Sequence, residues 1–184
     1  MLPKIDISTV TLETDRLILR AFTQDDINDF YAYASVPGVG EMAGWPHHEN
    51  IETTKMILDM FIKEKNVFAI CHKETGRVIG SFGFHDSWAN CAPEYKDTRL
   101  CEIGYVLSKD FWGQGLMPEA VRAAVKFGFE QLNLDYISVS HFTGNVQSRR
   151  VIEKSGFFPV STGIFHAKQL GEDFETIRYL MPRP

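Results

Sequence analysis

The chain has 184 residues, 44% of them hydrophobic, which is enough to bury one core and short for two domains. Its net charge of −5 comes from interspersed acidic and basic residues, so no electrostatic footprint for nucleic acid appears, and no stretch approaches membrane-spanning length. Cys71, Cys91 and Cys101 are odd in number and lack zinc-ligand spacing, which argues against a disulfide framework or a structural metal and fits reduced thiols in the cytoplasm. Met1 to Val10 alternates apolar and polar residues around Pro3, without the basic start and apolar run of a secretion signal.

The alternation of Leu17, Leu19 and Ala21 with Ile18 and Arg20 predicts a first strand over Arg16 to Phe22. Thr23 followed by Asp26 opens a helix carrying Ile27, Phe30, Tyr31 and Ala34, which Pro37 and Gly38 end. A loop from Val36 to His48 leads to a second helix capped by Asn50, with Ile51, Thr54, Ile57, Leu58 and Phe61 on one stripe. Val67 to His72 and Arg77 to Phe84, joined by Glu74-Thr75-Gly76, predict a hairpin.

After an irregular stretch from Ser87 to Asp97, a strand over Arg99 to Ser108 places Cys101, Ile103, Tyr105 and Leu107 on one face. Leu100, Glu102, Gly104 and Val106 lie on the other. A glycine turn, a helix burying Val121, Ala124, Val125, Gly128 and Leu132, and a strand from Tyr136 to His141 complete one crossover unit. Asn145 to Ser155 is a short helix stopped by Gly156, and Phe157 to His166 with Phe174 to Leu180 predict a closing antiparallel pair. The expected fold is a single α/β domain of the α+β type: a mixed, mainly antiparallel twisted sheet of about seven strands with helices on both faces.

The turn from Trp112 to Met117, through Gly113, Gln114, Gly115 and Leu116, leaves a strand and enters a helix. Its glycines let successive backbone N–H groups share one concavity, to which the first helical turn adds unpaired amides and the positive dipole end. Such a nest suits a pyrophosphate. A nucleoside-triphosphate loop would need Gly-Lys-Ser/Thr, whereas Leu116 and Met117 follow Gly115. A dinucleotide fingerprint wants glycine where Pro118 stands and an acidic residue at the far end of the next strand, whereas Asp135 is at the near end. A plain strand-to-helix turn remains the alternative.

Four segments together resemble the GNAT superfamily of acetyltransferases in its RimJ/RimL-like branch: Thr11 to Arg20, Glu102-Ile103-Gly104-Tyr105, Trp112 to Ala120, and Asn145 to Phe157. Their order and spacing match, and the likeness runs from Thr11 to about Met181, a complete domain. Trp112 and Met117 depart from the superfamily consensus at its first and last positions, although backbone amides are what the site requires.

The resemblance implies direct attack of an amine on the thioester of acetyl-CoA, with the pantetheine arm between two splayed strands and no metal. Glu102, amid Leu100, Gly104 and Val106, is the candidate base that keeps the amine neutral; a solvated or ion-paired glutamate is the alternative. Ser148 is the candidate proton donor to the leaving thiolate, or else a hydroxyl satisfying first-turn amides. Asn145 matches the asparagine that holds the pantetheine region, and Arg150, with Arg149 as a second candidate, would meet phosphate. Val106 and Leu107 would contact the donor, the Val106 N–H polarising its carbonyl. Trp45, His47 and His141 are candidates for the acceptor side, where loop packing or a structural histidine is the alternative. His47 and His48 are adjacent and diverge, so no metal site is expected.

The acceptor class stays open between protein or peptide N-termini and small amines, in a monomer or a homodimer. A noncatalytic acyl-CoA-binding module is the competing function.

Overall fold

A computed structural model describes residues 5–184; part of the Met1 to Val10 segment thus lies outside the described residues. Strands β1 (Thr11–Glu13), β2 (Leu17–Ala21), β3 (Val67–His72), β4 (Val78–His85) and β5 (Leu100–Leu107) are followed by β6 (Tyr136–Phe142), β7 (Phe158–Ala167) and β8 (Glu172–Pro182). They form one sheet in the order β1-β2-β3-β4-β5-β6-β8-β7. Every neighbouring pair is antiparallel except β5 and β6. The helices are α1 (Ile27–Ala34), α2 (Ile51–Glu64), α3 (Leu116–Glu130) and α4 (Val146–Lys154).

Each face of the sheet has its own core. Leu17, Leu19, Phe68, Phe84, Cys101 and Ile103 pack with α3 and with Ile152 of α4. On the opposite face Val67, Ala69, Cys71 and Val78 meet Phe30 and Tyr33 of α1 and Leu58 of α2. Period-2 alternation decides this partition: Leu17 and Leu19 are fully buried on one side while Ile18 packs on the other. Asp26 opens α1 by accepting from the Thr23 N–H at 2.8 Å, and Asn50 caps α2 by accepting from the Thr53 N–H at 2.9 Å.

Two details differ from the expectation. The sheet has eight strands, because β1 adds a three-residue edge to β2. On α1 it is Tyr33 rather than Tyr31 that reaches the core beside Phe30 and Ala34, lying three residues after Phe30 with the two ring centres 5.3 Å apart.

The single parallel pair sets the site. β5 and β6 are in register only at Leu100/Tyr136, Cys101/Ile137 and Glu102/Ser138. β5 then follows β4 out to Leu107, and β6 follows β8 out to Phe142, so the two diverge and a wedge opens between them. At its apex the Ser138 hydroxyl, fully buried, lies 2.7 Å from the Ser87 hydroxyl and 3.3 Å from the Cys101 carbonyl. α3 begins beyond the end of β5 and α4 beyond the end of β6, which brings both helix N-termini to the open end of the wedge.

Candidate active site

The turn before α3 presents free donors. Gly113 and Gly115 have φ of 76° and 75°, a region in which only glycine rests without strain, and a Cβ at Gly113 would meet nothing within 4 Å. Among the described residues the N–H groups of residues 113–117 find no backbone acceptor. Leu116 and Met117 bury their side chains in the core, 1% and 5% exposed, so only their amides are left to the cleft. Main-chain donors aligned with a helix N-terminus form a site for an anion.

Arg16, at the start of β2, holds this turn in place. Its guanidinium donates to the Gln114 carbonyl at 2.9 Å and to Glu119 of α3 at 2.7 and 2.8 Å. Glu119 also accepts from the Arg16 N–H at 2.8 Å and from the Thr14 hydroxyl at 2.5 Å. Desolvation works against ionising Glu119, but these donors win and hold its carboxyl below the usual range. A negative charge near the nest is thereby tied to a cation.

A continuous cleft of about 1220 Å³ runs from this turn through the wedge to the loop between α1 and α2. Ligand pockets usually have roughly 300–1,000 Å³, so this one can take a long cofactor and a second substrate end to end. Its wall contains Trp45, His47, Glu102, Val106, Leu107, Trp112, Gly113, Gly115, Leu116, Met117, His141, Asn145, Ser148 and Arg150. Gln114 is the exception: its side chain folds back to the Asp110 carbonyl at 3.0 Å, and its own carbonyl is taken by Arg16.

Glu102 stands at the wedge apex on the α1–α2 face. Desolvation raises its pKa, opposed by the Ser140 hydroxyl, which donates to Oε1 at 2.7 Å, by the Trp88 N–H and by the charge of Arg178. The net shift is upward, as a base working near neutrality requires. On the opposite face the Ser148 hydroxyl lies 3.0 Å from the Tyr105 hydroxyl, and burial pushes the Tyr105 phenol well up, which keeps it a proton carrier. A carboxylate therefore waits on one side of the wedge and a hydroxyl pair on the other.

The expectation for Val106 is corrected by strand register. The Ser108 N–H donates to the Ile79 carbonyl at 2.7 Å, on the β4 side, and groups two residues apart point the same way. The Val106 N–H therefore faces β4, and those of Tyr105 and Leu107 face the wedge. Trp112 supports that strand end, its indole N–H donating to the Leu107 carbonyl at 2.8 Å.

The remaining candidates divide. Asn145 caps α4 by accepting from the Ser148 N–H at 3.0 Å and donates to the Met42 carbonyl at 3.2 Å, bracing α4 against the α1–α2 loop. Arg150 borders the cleft, whereas Arg149 pairs along the helix with Glu153 at 2.8 Å. His47 lines the cleft with Nδ1 on Glu41 at 2.8 Å. Desolvation resists ionising Glu41, yet that contact and the amides of Gly38 and His47 take its carboxyl down to about 2. His141 borders the cleft but is 4% exposed, with Nδ1 at 2.8 Å from the Phe142 carbonyl and Nε2 at 3.2 Å from the Tyr179 hydroxyl, so both ring nitrogens already have protein partners.

Two cleft residues escaped the sequence reading as site groups. His85 is the strand partner of Glu102, and its ring lies across Gly83 and Gly104; a Cβ at Gly83 would stand 2.5 Å from Nε2. Desolvation lowers its pKa against the opposing charges of Glu64 and Asp86. The available signal was the pair of glycines two positions from His85 and from Glu102, which leave room for a ring. Arg178 is the second, opposite Ser140 on β8. Among the described residues no group of three His, Cys, Asp or Glu could hold a metal ion, and no helix is long and apolar enough to cross a membrane.

The family model "Acetyltransferase (GNAT) domain" matches residues 16–158. N-acetyltransferase YoaA of Bacillus subtilis (strain 168) is 32% identical over 178 residues, 94% of this chain and 97% of that protein. Among solved structures, Ribosomal-protein-S5-alanine Acetyltransferase from Vibrio fischeri superposes with a TM-score of 0.71 at 20% identity, over 95% of this chain and 97% of that one. Spermidine N-acetyltransferase from Vibrio cholerae, in complex with CoA and spermine, gives a TM-score of 0.74 at 15% identity, over 92% and 97%.

Proposed function

Since this chain belongs to the GNAT acetyltransferase family, an acyltransferase family that uses acetyl-CoA, we propose that it transfers the acetyl group to a primary amine by direct attack in a ternary complex. The observation that carries the reading is the run of unpaired amides at 113–117 opening into a cleft with Glu102 at its apex. The pyrophosphate of CoA sits on those amides, with Arg150 on its flank. The pantetheine arm follows the wedge between β5 and β6, where the Tyr105 and Leu107 amides replace a strand partner and stabilise the developing oxyanion.

The acceptor enters from the α1–α2 side, past Trp45 and His47. Its nitrogen passes a proton to Glu102, directly or through water, and attacks the thioester carbon. A C–N bond forms, the C–S bond breaks, the nitrogen sheds its extra proton to water, and the thiolate takes a proton from Ser148, which solvent restores through the Tyr105 phenol. No covalent enzyme intermediate and no metal are needed.

The finer assignment is to the RimJ/RimL-like branch, working in the cytoplasm as one N-acetyltransferase domain. The likeness to a ribosomal-protein acetyltransferase and the three free cysteines support it. The acceptor is then a protein or peptide N-terminus or a small amine. Incubation with acetyl-CoA, an amine panel and a thiol reagent tests the reading: CoA is released when the right amine is present. Tight acetyl-CoA binding with no release by any amine would instead make the chain an acyl-CoA-binding module.

A further inference from the structure

On the acceptor side of the wedge one cation makes no close ion pair among the described residues, although its charge bears on Glu102. Arg178 is half-buried on β8 and faces the cleft. Its guanidinium lies 5.0 Å from the centre of the Trp88 ring on one side and against the backbone of Gly163 on the other, where any Cβ would collide with it. Among the described residues it forms no ion pair and donates no hydrogen bond. Contact with Trp88 and Gly163 confines the guanidinium and leaves its donors unspent, an arrangement that suits a planar oxyanion.

Position relates this cation to the chemistry. Arg178 is the direct strand partner of Ser140, and the Ser140 hydroxyl donates to Glu102. Facing residues on neighbouring strands stand about 5 Å apart, so a group on Arg178 and a nitrogen at Glu102 are within a few bonds of each other. Around them the cleft wall carries large apolar side chains, Met42, Trp45, Met56, Met60, Phe142 and Phe165, interspersed with polar ones such as Glu49, Thr53 and Asp86.

We propose that the acceptor is a free amino acid with an apolar side chain, its carboxylate held by Arg178 while its amine faces Glu102. This rests on the acetyltransferase reading above and narrows it.

The test compares kcat/KM for L-leucine, L-methionine and L-phenylalanine with their amides, and with spermidine and an unrelated N-terminal peptide amide, in the wild type, Arg178→Gln and Arg178→Lys. Acids and amides differ in amine basicity, but the change in the acid-to-amide ratio between proteins cancels that difference. Arg178→Gln should reduce the ratio about 10- to 100-fold, as loss of a charge-assisted pair implies, with Arg178→Lys in between. Acetyl-CoA affinity, read by calorimetry, should stay within about twofold, since Arg178 lies outside the phosphate nest. An unchanged ratio in both variants overturns the proposal. So does a wild type that prefers spermidine or the peptide amide, a result that stands even if a variant fails to fold. Absence of acetyl-CoA binding in the wild type defeats the parent reading as well, whereas binding with turnover of amides and no effect of Arg178 defeats this proposal alone.

Discussion

Replacing Glu102 by Gln removes the base while keeping its shape and its ability to accept from Ser140 and from the Trp88 amide. Acid–base catalysis contributes about 10²–10⁴-fold, so kcat should fall within that range. The loss belongs at the upper end for a lysine-like amine and the lower end for an α-amine, whose pKa is lower by about 2. Acetyl-CoA affinity, measured by calorimetry, should not change, because the amides at 113–117 are untouched. Stability makes an independent reading of the same carboxyl. Its pKa is raised in the folded protein, so relative to the fully protonated state it costs stability as pH rises from the unfolded value through the folded one. Each pH unit of that shift is worth about 1.4 kcal/mol. The Gln variant lacks this cost: its Tm should match the wild type below about pH 4, the unfolded carboxylate range, and exceed it near neutrality. The wild-type pH–rate profile should show an acidic limb above the ordinary carboxylate range, absent from the residual activity of the variant. A Gln variant turning over within about threefold of wild type would refute the assignment, as would a Tm lower than wild type at neutral pH.

Gly115→Asp should abolish acetyl-CoA binding in calorimetry, because a carboxylate would enter the phosphate nest; strain at φ 75° should cost only about 1–2 kcal/mol of stability, so the variant stays folded. Unchanged affinity would remove the turn from the site. Ser148→Ala and Tyr105→Phe should each lower kcat about 10- to 100-fold at constant acetyl-CoA affinity, and the double variant should be no worse than the weaker single variant, as expected of groups acting as one unit. Fully additive losses would show separate roles. Arg16→Ala should weaken acetyl-CoA binding about tenfold by releasing the Gln114 carbonyl, with a Tm change of a few degrees at most because Arg16 is half exposed. Equal binding by that variant would mean the turn holds its shape unaided.

What could be read from the sequence was whatever a local pattern encodes. Glycines at 113 and 115 ahead of a helical stripe gave the left-handed turn with its unpaired amides, since φ and unpaired amides are properties of a few consecutive residues. Period-2 alternation placed Glu102 and Tyr105 on opposite faces of β5, and both ended in the cleft. β1 was not legible because three residues carry too little alternation, and only pairing with β2 makes them a strand. The Val106 amide was misassigned because the direction of an N–H depends on which neighbour its strand pairs with, and that is decided by β4. The partner of the His141 Nε2, Tyr179, is distant in sequence, so no local pattern reveals that contact. Arg178 and His85 gain meaning only from register, one opposite Ser140 and the other opposite Glu102.

Topology explains why these parts meet. In an otherwise antiparallel sheet, only a parallel pair needs a crossover helix, and that helix must begin where the first strand ends. The end of β5, the start of α3 with its unpaired amides and the open side of the wedge are therefore one place. The same logic puts the start of α4 at the end of β6, so Ser148 faces Tyr105 across the gap. Had β5 and β6 stayed paired beyond Ser138, the amides of Tyr105 and Leu107 would be consumed by the ladder, and the carboxylate on one face would be sealed from the hydroxyls on the other. Three paired positions at the apex hold the sheet together, and the divergence beyond them leaves a gap between the face with the Ser148 and Tyr105 hydroxyls and the face with Glu102, as the proposed acyl transfer requires.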